Sequence, residues 1–329
     1  MGNKVEYLNG VRPSREWQMM LTRQAYGEML VELGKTNENI VVLDADLAES
    51  TLTKFFRAEI PERFVECGIA EQDMMNTAAG LSTFGFIPFL SSYAVFLTGR
   101  SWDQLRNTVD YSNLNVKVAA AHGGISVGLD GCSHQSMEDL GNTLSLVNMT
   151  VLVPADYWET RKMMAWIPEH RGPLYFRLGR EKVPTVTSEE TPFVPYHTLE
   201  AVGGEDGVFI ATGLMLSRAV QAAELLAEEG IFSRVLHVPM LKPLNVSEVL
   251  TAARETGAVV TMEEHSVYGG LGSLIARTLL ENDVHVPTRI IGIPDIYLMS
   301  GRPEELLAKA GLTAENAAAK MKEALRQRK

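Results

Sequence analysis

Short apolar runs alternate with longer amphipathic stretches along most of this chain, and that rhythm predicts parallel sheets clad by helices. In the first half the strand candidates are NIVVLD (39–44), FVEC (64–67), VKVAAA (116–121), MTVLVP (149–154) and LYFRL (174–178). Most lack the polar–apolar alternation of a half-exposed strand, as expected of strands buried on both faces. Ser14 followed by REWQMMLTRQAYGEMLVELG predicts one amphipathic helix, capped by Ser14 and ending near Gly34. Another helix is expected over 157–167. The rhythm returns after residue 200, with strands at 207–212, 233–238, 258–262 and 289–293 and an alanine-rich helix over 216–229. Between the halves, residues 182–198 are rich in Pro, Thr and Glu and read as a linker. The expected architecture is therefore α/β: two doubly wound domains with largely parallel sheets, residues 1–190 and 191–329, the second smaller.

Composition narrows the function classes. A hydrophobic fraction of 46% in 329 residues is ample for two cores. No apolar run reaches the ~18 residues of a membrane span, and MGNKVEYLNGVRPSREW has no apolar signal core, so a cytoplasmic location is expected. A net charge of −11 speaks against nucleic acid, whose phosphates need a basic face. Only Cys67 and Cys132 are present, in dissimilar contexts, as in a reducing compartment.

The candidate chemistry centres on Glu71. Gly68-Ile69-Ala70 breaks the strand FVEC, and Glu71 opens the next helix. An isolated acid there simply complements the helix N-terminus. Here the helix, with Met74, Met75, Ala78 and Ala79, is almost uncharged, so it should be buried and carry Glu71 inward, against a wall of Phe89, Tyr93 and Phe96. Asp44 and Asp46 close a buried strand, where α/β ligand crevices form. The glycine-rich loop HGGISVGLDGCSH (122–134) brings His122, Asp130 and His134 close in sequence. Its GISVG matches the nucleophile elbow G-x-S-x-G, but that elbow needs a helix straight after the serine, and Gly128, Asp130 and Gly131 deny one. GGLGS (269–273) lacks the third glycine of a dinucleotide fingerprint. No metal site is expected on this chain, since no ligands fall at suitable spacing.

GIAEQ (68–72), Tyr93-x-x-Phe96 and DGCSH (130–134) together resemble the pyrimidine-binding domain of transketolases. From about Arg15 to its end the chain is similar to the separately encoded C-terminal subunit of a split, thiamine-diphosphate-dependent transketolase. The resemblance implies transfer of a two-carbon ketol unit between phosphorylated sugars. It gives Glu71 the pyrimidine nitrogen of the cofactor, with Tyr93 and Phe96 stacking on that ring, Phe89 adding apolar wall and Asp46 near the thiazolium. It gives His122, Asp130 and His134 the substrate's hydroxyl and carbonyl groups, and Arg23, Ser50 and Arg180 its phosphate. Cys132 stands where the family's pattern usually has Pro. No G-D-G…N motif for Mg²⁺ and the diphosphate is present. The resemblance therefore implies an N-terminal partner subunit that holds most of the Mg²⁺ and diphosphate contacts, in an α2β2 assembly. A 1-deoxy-D-xylulose-5-phosphate-synthase-like chain would share Glu71 and the aromatic wall, but typically has Tyr-Pro-Arg-Gly where Leu178-Gly179-Arg180 stands. A 2-oxoacid dehydrogenase E1 β-type subunit would lack the His122/Asp130/His134 loop. A noncatalytic assembly subunit would have no need of Glu71, His122 and Asp130.

Overall fold

The computed structural model describes residues 5–328. The chain opens with β1 (Glu6–Tyr7), β2 (Met19–Leu21), α1 (Thr22–Thr36), β3 (Ile40–Asp44), α2 (Ala48–Thr51), α3 (Lys54–Glu59), β4 (Phe64–Glu66) and α4 (Glu71–Thr83). It continues through β5 (Ile87–Tyr93), α5 (Ala94–Gly99), a π-helical stretch Gln104–Asp110, β6 (Lys117–Ala121), α6 (Asp139–Ser145), β7 (Thr150–Leu152), α7 (Tyr157–Trp166), β8 (Leu174–Arg177) and β9 (Lys182–Pro184). The second half holds β10 (Leu199–Gly203), β11 (Val208–Ala211), α8 (Met215–Glu228), β12 (Arg234–His237), β13 (Met240–Lys242) and α9 (Val246–Thr256). It ends with β14 (Val259–Ser266), α10 (Leu271–Glu281), β15 (Thr288–Ile293), α11 (Pro303–Lys309) and α12 (Ala314–Leu325).

Two large sheets result. The first has seven strands in the order β13-β7-β8-β6-β5-β3-β4, all parallel except β13. The second has six, β1-β10-β12-β11-β14-β15, with β12, β11, β14 and β15 parallel. Every residue of β3, β6, β8 and β11 is buried, which is why these strands read as apolar runs without polar alternation, charged only at an end (Asp44, Lys117, Arg177).

Three expectations need correction. The first helix does not start at Ser14. That serine begins a single 3₁₀ turn, and its N–H donates to Glu224 Oε1 (2.9 Å). Residues 19–21 then extend to pair with β9, so α1 starts only at Thr22; tertiary pairing overrides local propensity. Nor is 182–198 a loose linker. Lys182–Pro184 is a strand, and Thr187 donates through both its N–H and its hydroxyl to buried Asp156 (2.6 Å each). Finally, no single cut separates the sheets. β1, from the extreme N-terminus, extends the second sheet, while β13, well past residue 190, extends the first.

Candidate active site

Parallel strands end at a common rim, and the order β8-β6-β5-β3-β4 decides what meets there. Arg180 follows β8, His122 follows β6, Tyr93 is the last residue of β5, and Asp46 follows β3. β4 ends at Glu66, whose Oε1 accepts the N–H groups of Asp46 (2.8 Å) and Gly68 (3.0 Å). Gly68, with φ of 67°, makes the turn that starts α4, a backbone conformation that favours glycine. Met74, Met75, Ala78 and Ala79 bury one face of α4, and with it Glu71, only 1% exposed. An ion pair meets that carboxylate: Arg100 Nη1 lies 3.4 and 3.2 Å from its two oxygens.

Beside Glu71 the aromatic groups form a continuous surface. The Tyr93 ring stacks on His122 (centroids 3.9 Å, planes 18° apart) and on Phe96 (5.7 Å, 11°). His134 stands edge-on to Tyr93 at 5.9 Å and to Phe96 at 5.4 Å. His122 adopts a φ of 61° where the chain leaves β6 for the glycine loop. That loop needs its glycines. A Cβ on Gly123 would lie 2.6 Å from Arg177 Nε, and one on Gly124 would lie 2.3 Å from the buried Glu264 carboxyl carbon. His122 is buried, and its Nδ1 has no hydrogen-bond partner. Burial above all, then the charges of Arg23 and Arg180 and the neighbouring His134, push its pKa down to about 3. At neutral pH it is an uncharged imidazole with an unsatisfied buried nitrogen, a group suited to a polar ligand atom.

The far end of the rim is cationic. Arg23, in the first turn of α1, donates through Nε to the Arg180 carbonyl (3.0 Å) and through Nη1 to the Ser50 carbonyl (2.5 Å). Thr22 Oγ1 accepts from Gly179 N (3.1 Å), so the start of α1 is tied to the end of β8. Arg180 donates to Asp130 Oδ1 (3.1 Å) and to the Val127 carbonyl. Burial, and then the Arg180 charge, lower the pKa of Arg23. Two guanidinium groups and a helix N-terminus together favour an anion.

Arg23, Ser50, Glu71, Tyr93, Phe96, His122, Asp130, His134 and Arg180 thus come together. Phe89 does not. It lies in β5 four residues before Tyr93, about 13 Å from the rim at a strand's rise per residue, and packs in the core with Tyr26, Leu30, Val42 and Phe176. Asp46 reaches the rim but is exposed, with a φ of 61° and no side-chain hydrogen bond or ion pair among the described residues. Two further residues shape the site: Asp44, which the sequence places at a strand end without a role, and Arg100, which it does not single out. Asp44 accepts from Thr51 Oγ1 (2.7 Å), Thr53 Oγ1 (2.8 Å) and Leu47 N (2.6 Å), organising the loop that carries Asp46 and Ser50. Arg100 pairs with Glu71; the one hint of it in the sequence is a lone cation one helical turn past Phe96. Among the described residues no group of three or more His, Cys, Asp or Glu could hold a metal ion.

Comparison with known proteins places this geometry. Residues 18–186 match the family model of the transketolase pyrimidine-binding domain, and residues 197–317 match that of the transketolase C-terminal domain. The chain belongs to the transketolase family, whose members are thiamine-diphosphate-dependent transferases, and corresponds to the section that split transketolases carry as a separate subunit. It is 37% identical over 298 residues to one of the subunits of the apulose-4-phosphate transketolase of Phocaeicola vulgatus, covering 90% of this chain and 95% of that one. With the 6-deoxy-6-sulfo-D-fructose transketolase subunit SqwH of Clostridium sp. (strain MSTE9) it shares 40% identity over 293 residues, or 89% of this chain and 91% of that one. A solved split-gene transketolase, described as an inactive beta4 tetramer, superposes with a TM-score of 0.87 at 46% identity, covering 95% of this chain and all of that one.

Proposed function

We propose that this chain contributes the pyrimidine and sugar-phosphate side of an active site completed by a partner subunit, in a transketolase that moves a two-carbon ketol unit between phosphorylated sugars. One observation carries the reading: a buried carboxylate with an aromatic surface stands at one end of the rim and a cationic corner at the other, with neutral His122 between them.

The residues present fit the pyrimidine half of the cofactor, which needs a carboxyl partner at its edge and an aromatic face; Glu71, Tyr93 and Phe96 offer both. Thiamine diphosphate, when bound, supplies the electron sink on which the ketol unit is carried. Glu71 Oε2 would hold the proton shared with the ring nitrogen, and its burial keeps water from competing for it. His122 and His134 would bind the substrate's oxygens, His122 through its unpartnered Nδ1. Asp130 would take a hydroxyl while holding Arg180 in place. Arg23 and Arg180 would grip the sugar's anionic end, as a fork of donors suits a phosphate. The names of two relatives support that chemistry: one substrate carries a phosphate, the other a sulfonate. The partner, proposed as an N-terminal transketolase subunit in an α2β2 complex, would supply most contacts to Mg²⁺ and the diphosphate.

The test is reconstitution. The purified 329-residue chain should show no ketol transfer and only weak cofactor binding, and adding the N-terminal subunit should restore both. Ketose phosphates, rather than pyruvate, should serve as donors. Turnover by the isolated chain would remove the shared-site reading, and pyruvate use would shift the assignment to the synthase.

A further inference from the structure

Arg100 touches two of the three residues that the proposed function assigns to the cofactor's pyrimidine ring, Glu71 and Phe96, and this inference rests on that reading. It follows α5, four residues past Phe96 and so one helical turn along. Its guanidinium carbon lies 4.9 Å from the centroid of the Phe96 ring. Its Nη1 lies 3.2 Å from one Glu71 oxygen and 3.4 Å from the other. The Glu71 side chain is 2% exposed and that of Arg100 51%, so the pair is made by an arm reaching in from solvent.

A guanidinium is planar, delocalised and edged with N–H donors. An aminopyrimidine makes the same pair of contacts, a flat face against an aromatic side chain and an edge against a carboxyl group. We propose that Arg100 is a placeholder for the cofactor's pyrimidine: in the unloaded protein it lies on Phe96 and pairs with Glu71, and it must swing away before the ring can dock. The backbone would not have to move. The Arg100 N–H donates to the Phe96 carbonyl (2.9 Å), and its carbonyl accepts from Gln72 Nε2 (3.2 Å). Only the exposed side chain exchanges. Two consequences follow. The placeholder spares the unloaded site a buried carboxylate with no partner, which is costly. It also competes with the cofactor, so apparent affinity is reduced by the fraction of sites it fills.

The experiment uses the complex with its N-terminal partner, thiamine diphosphate and Mg²⁺, read by titration calorimetry and by thermal melting. Arg100→Ala and Arg100→Gln should tighten cofactor binding by at least about two- to fivefold, the range of an exposed ion pair, because one partner of this pair is buried. Both should melt below the wild type without cofactor and level with it when saturated, since in the loaded site Glu71 has another partner. Weaker or unchanged cofactor affinity would overturn the proposal, because Arg100 would then assist the bound state or ignore it. An equal loss of melting temperature in both states would assign Arg100 an ordinary structural role instead. If the wild-type complex bound no thiamine diphosphate, the functional reading itself would fall, an outcome separate from any effect of the variants.

Discussion

Glu71 and the arginine pair can be tested by substitutions that change little else. Glu71→Gln keeps shape and burial and strands no buried charge, because Arg100 is half exposed. Turnover should fall by roughly 10²-fold or more, as on losing a proton-transfer partner. A carboxylate that served only the helix terminus would cost ~1 kcal/mol of stability or less and leave turnover intact. Melting and kinetics on the same preparation separate the two. Arg23→Ala and Arg180→Ala should each raise KM for a phosphosugar roughly ten- to a hundredfold, the loss of a charge-assisted contact of ~1.5–3 kcal/mol. Hydroxypyruvate, with no phosphate, reports general damage to the site. The ratio of phosphosugar to hydroxypyruvate efficiency should drop in both variants, and an unchanged ratio would make these arginines ordinary charges. Most of these residues are legible in the sequence because they lie in contiguous motifs or directly after apolar runs. Phe89 misleads because an aromatic residue near Tyr93 in sequence can still sit a strand's length away from the rim. Arg100 escapes a sequence reading because only the fold sets the residue after α5 beside the start of α4, where Gln72 Nε2 donates to its carbonyl and Glu71 pairs with its guanidinium.

At the scale of elements, strands are easier to read than their boundaries. A wholly buried strand is marked by its apolar run alone, so β3, β6, β8 and β11 fall where expected. The start of α1 and the fate of 182–198 depend on partners far along the chain, β9 for the one and Asp156 for the other, which periodicity does not reveal. The loop after β3 gives a pH test of such an anchor. Burial is the largest influence on Asp44 and raises its pKa to about 6, against the hydrogen bonds from Thr51, Leu47 and Thr53. The folded-state value lies above the unfolded one of about 3.9, so this group's stabilisation is complete below pH ~3.9 and is lost as the pH rises through about 6. Asp44→Asn has no such titration. The melting temperature of the wild type relative to this variant should therefore fall between about pH 4 and pH 7, whereas a flat difference would mean that Asp44 does not titrate in that window.

Across the whole molecule, the sequence announces two α/β units but not how they are joined. Buried polar bridges cross between the sheets. Arg177 in β8 pairs with Asp139 (2.7 and 3.0 Å) and also donates to the Glu264 carbonyl in β14 (3.0 Å). Glu159 in α7 meets His237 in β12 at 2.8 Å. Glu264 also accepts the Ser126 N–H (2.6 Å), so the second sheet directly supports the loop that carries His122 and Asp130. β1 and β13 add a reciprocal exchange, each completing the sheet of the other half. These links predict how the protein behaves when cut. Glu189 and Glu190 are exposed, between the buried Ser188 and Thr191, and an exposed tip accepts an inserted protease site. After complete cleavage there, the two pieces should still elute as one species in size-exclusion chromatography and melt in one transition. Parting them would strip β13 from one sheet and β1 from the other, and would leave Glu159 without His237 and Arg177 without the Glu264 carbonyl, a penalty for buried polar groups that lose a partner. Independent domains joined by a flexible linker would separate under native conditions. Elution as two fragments would thus show that the strand exchange and the buried pairs contribute little, and that the substrate loop does not depend on the second sheet for its shape.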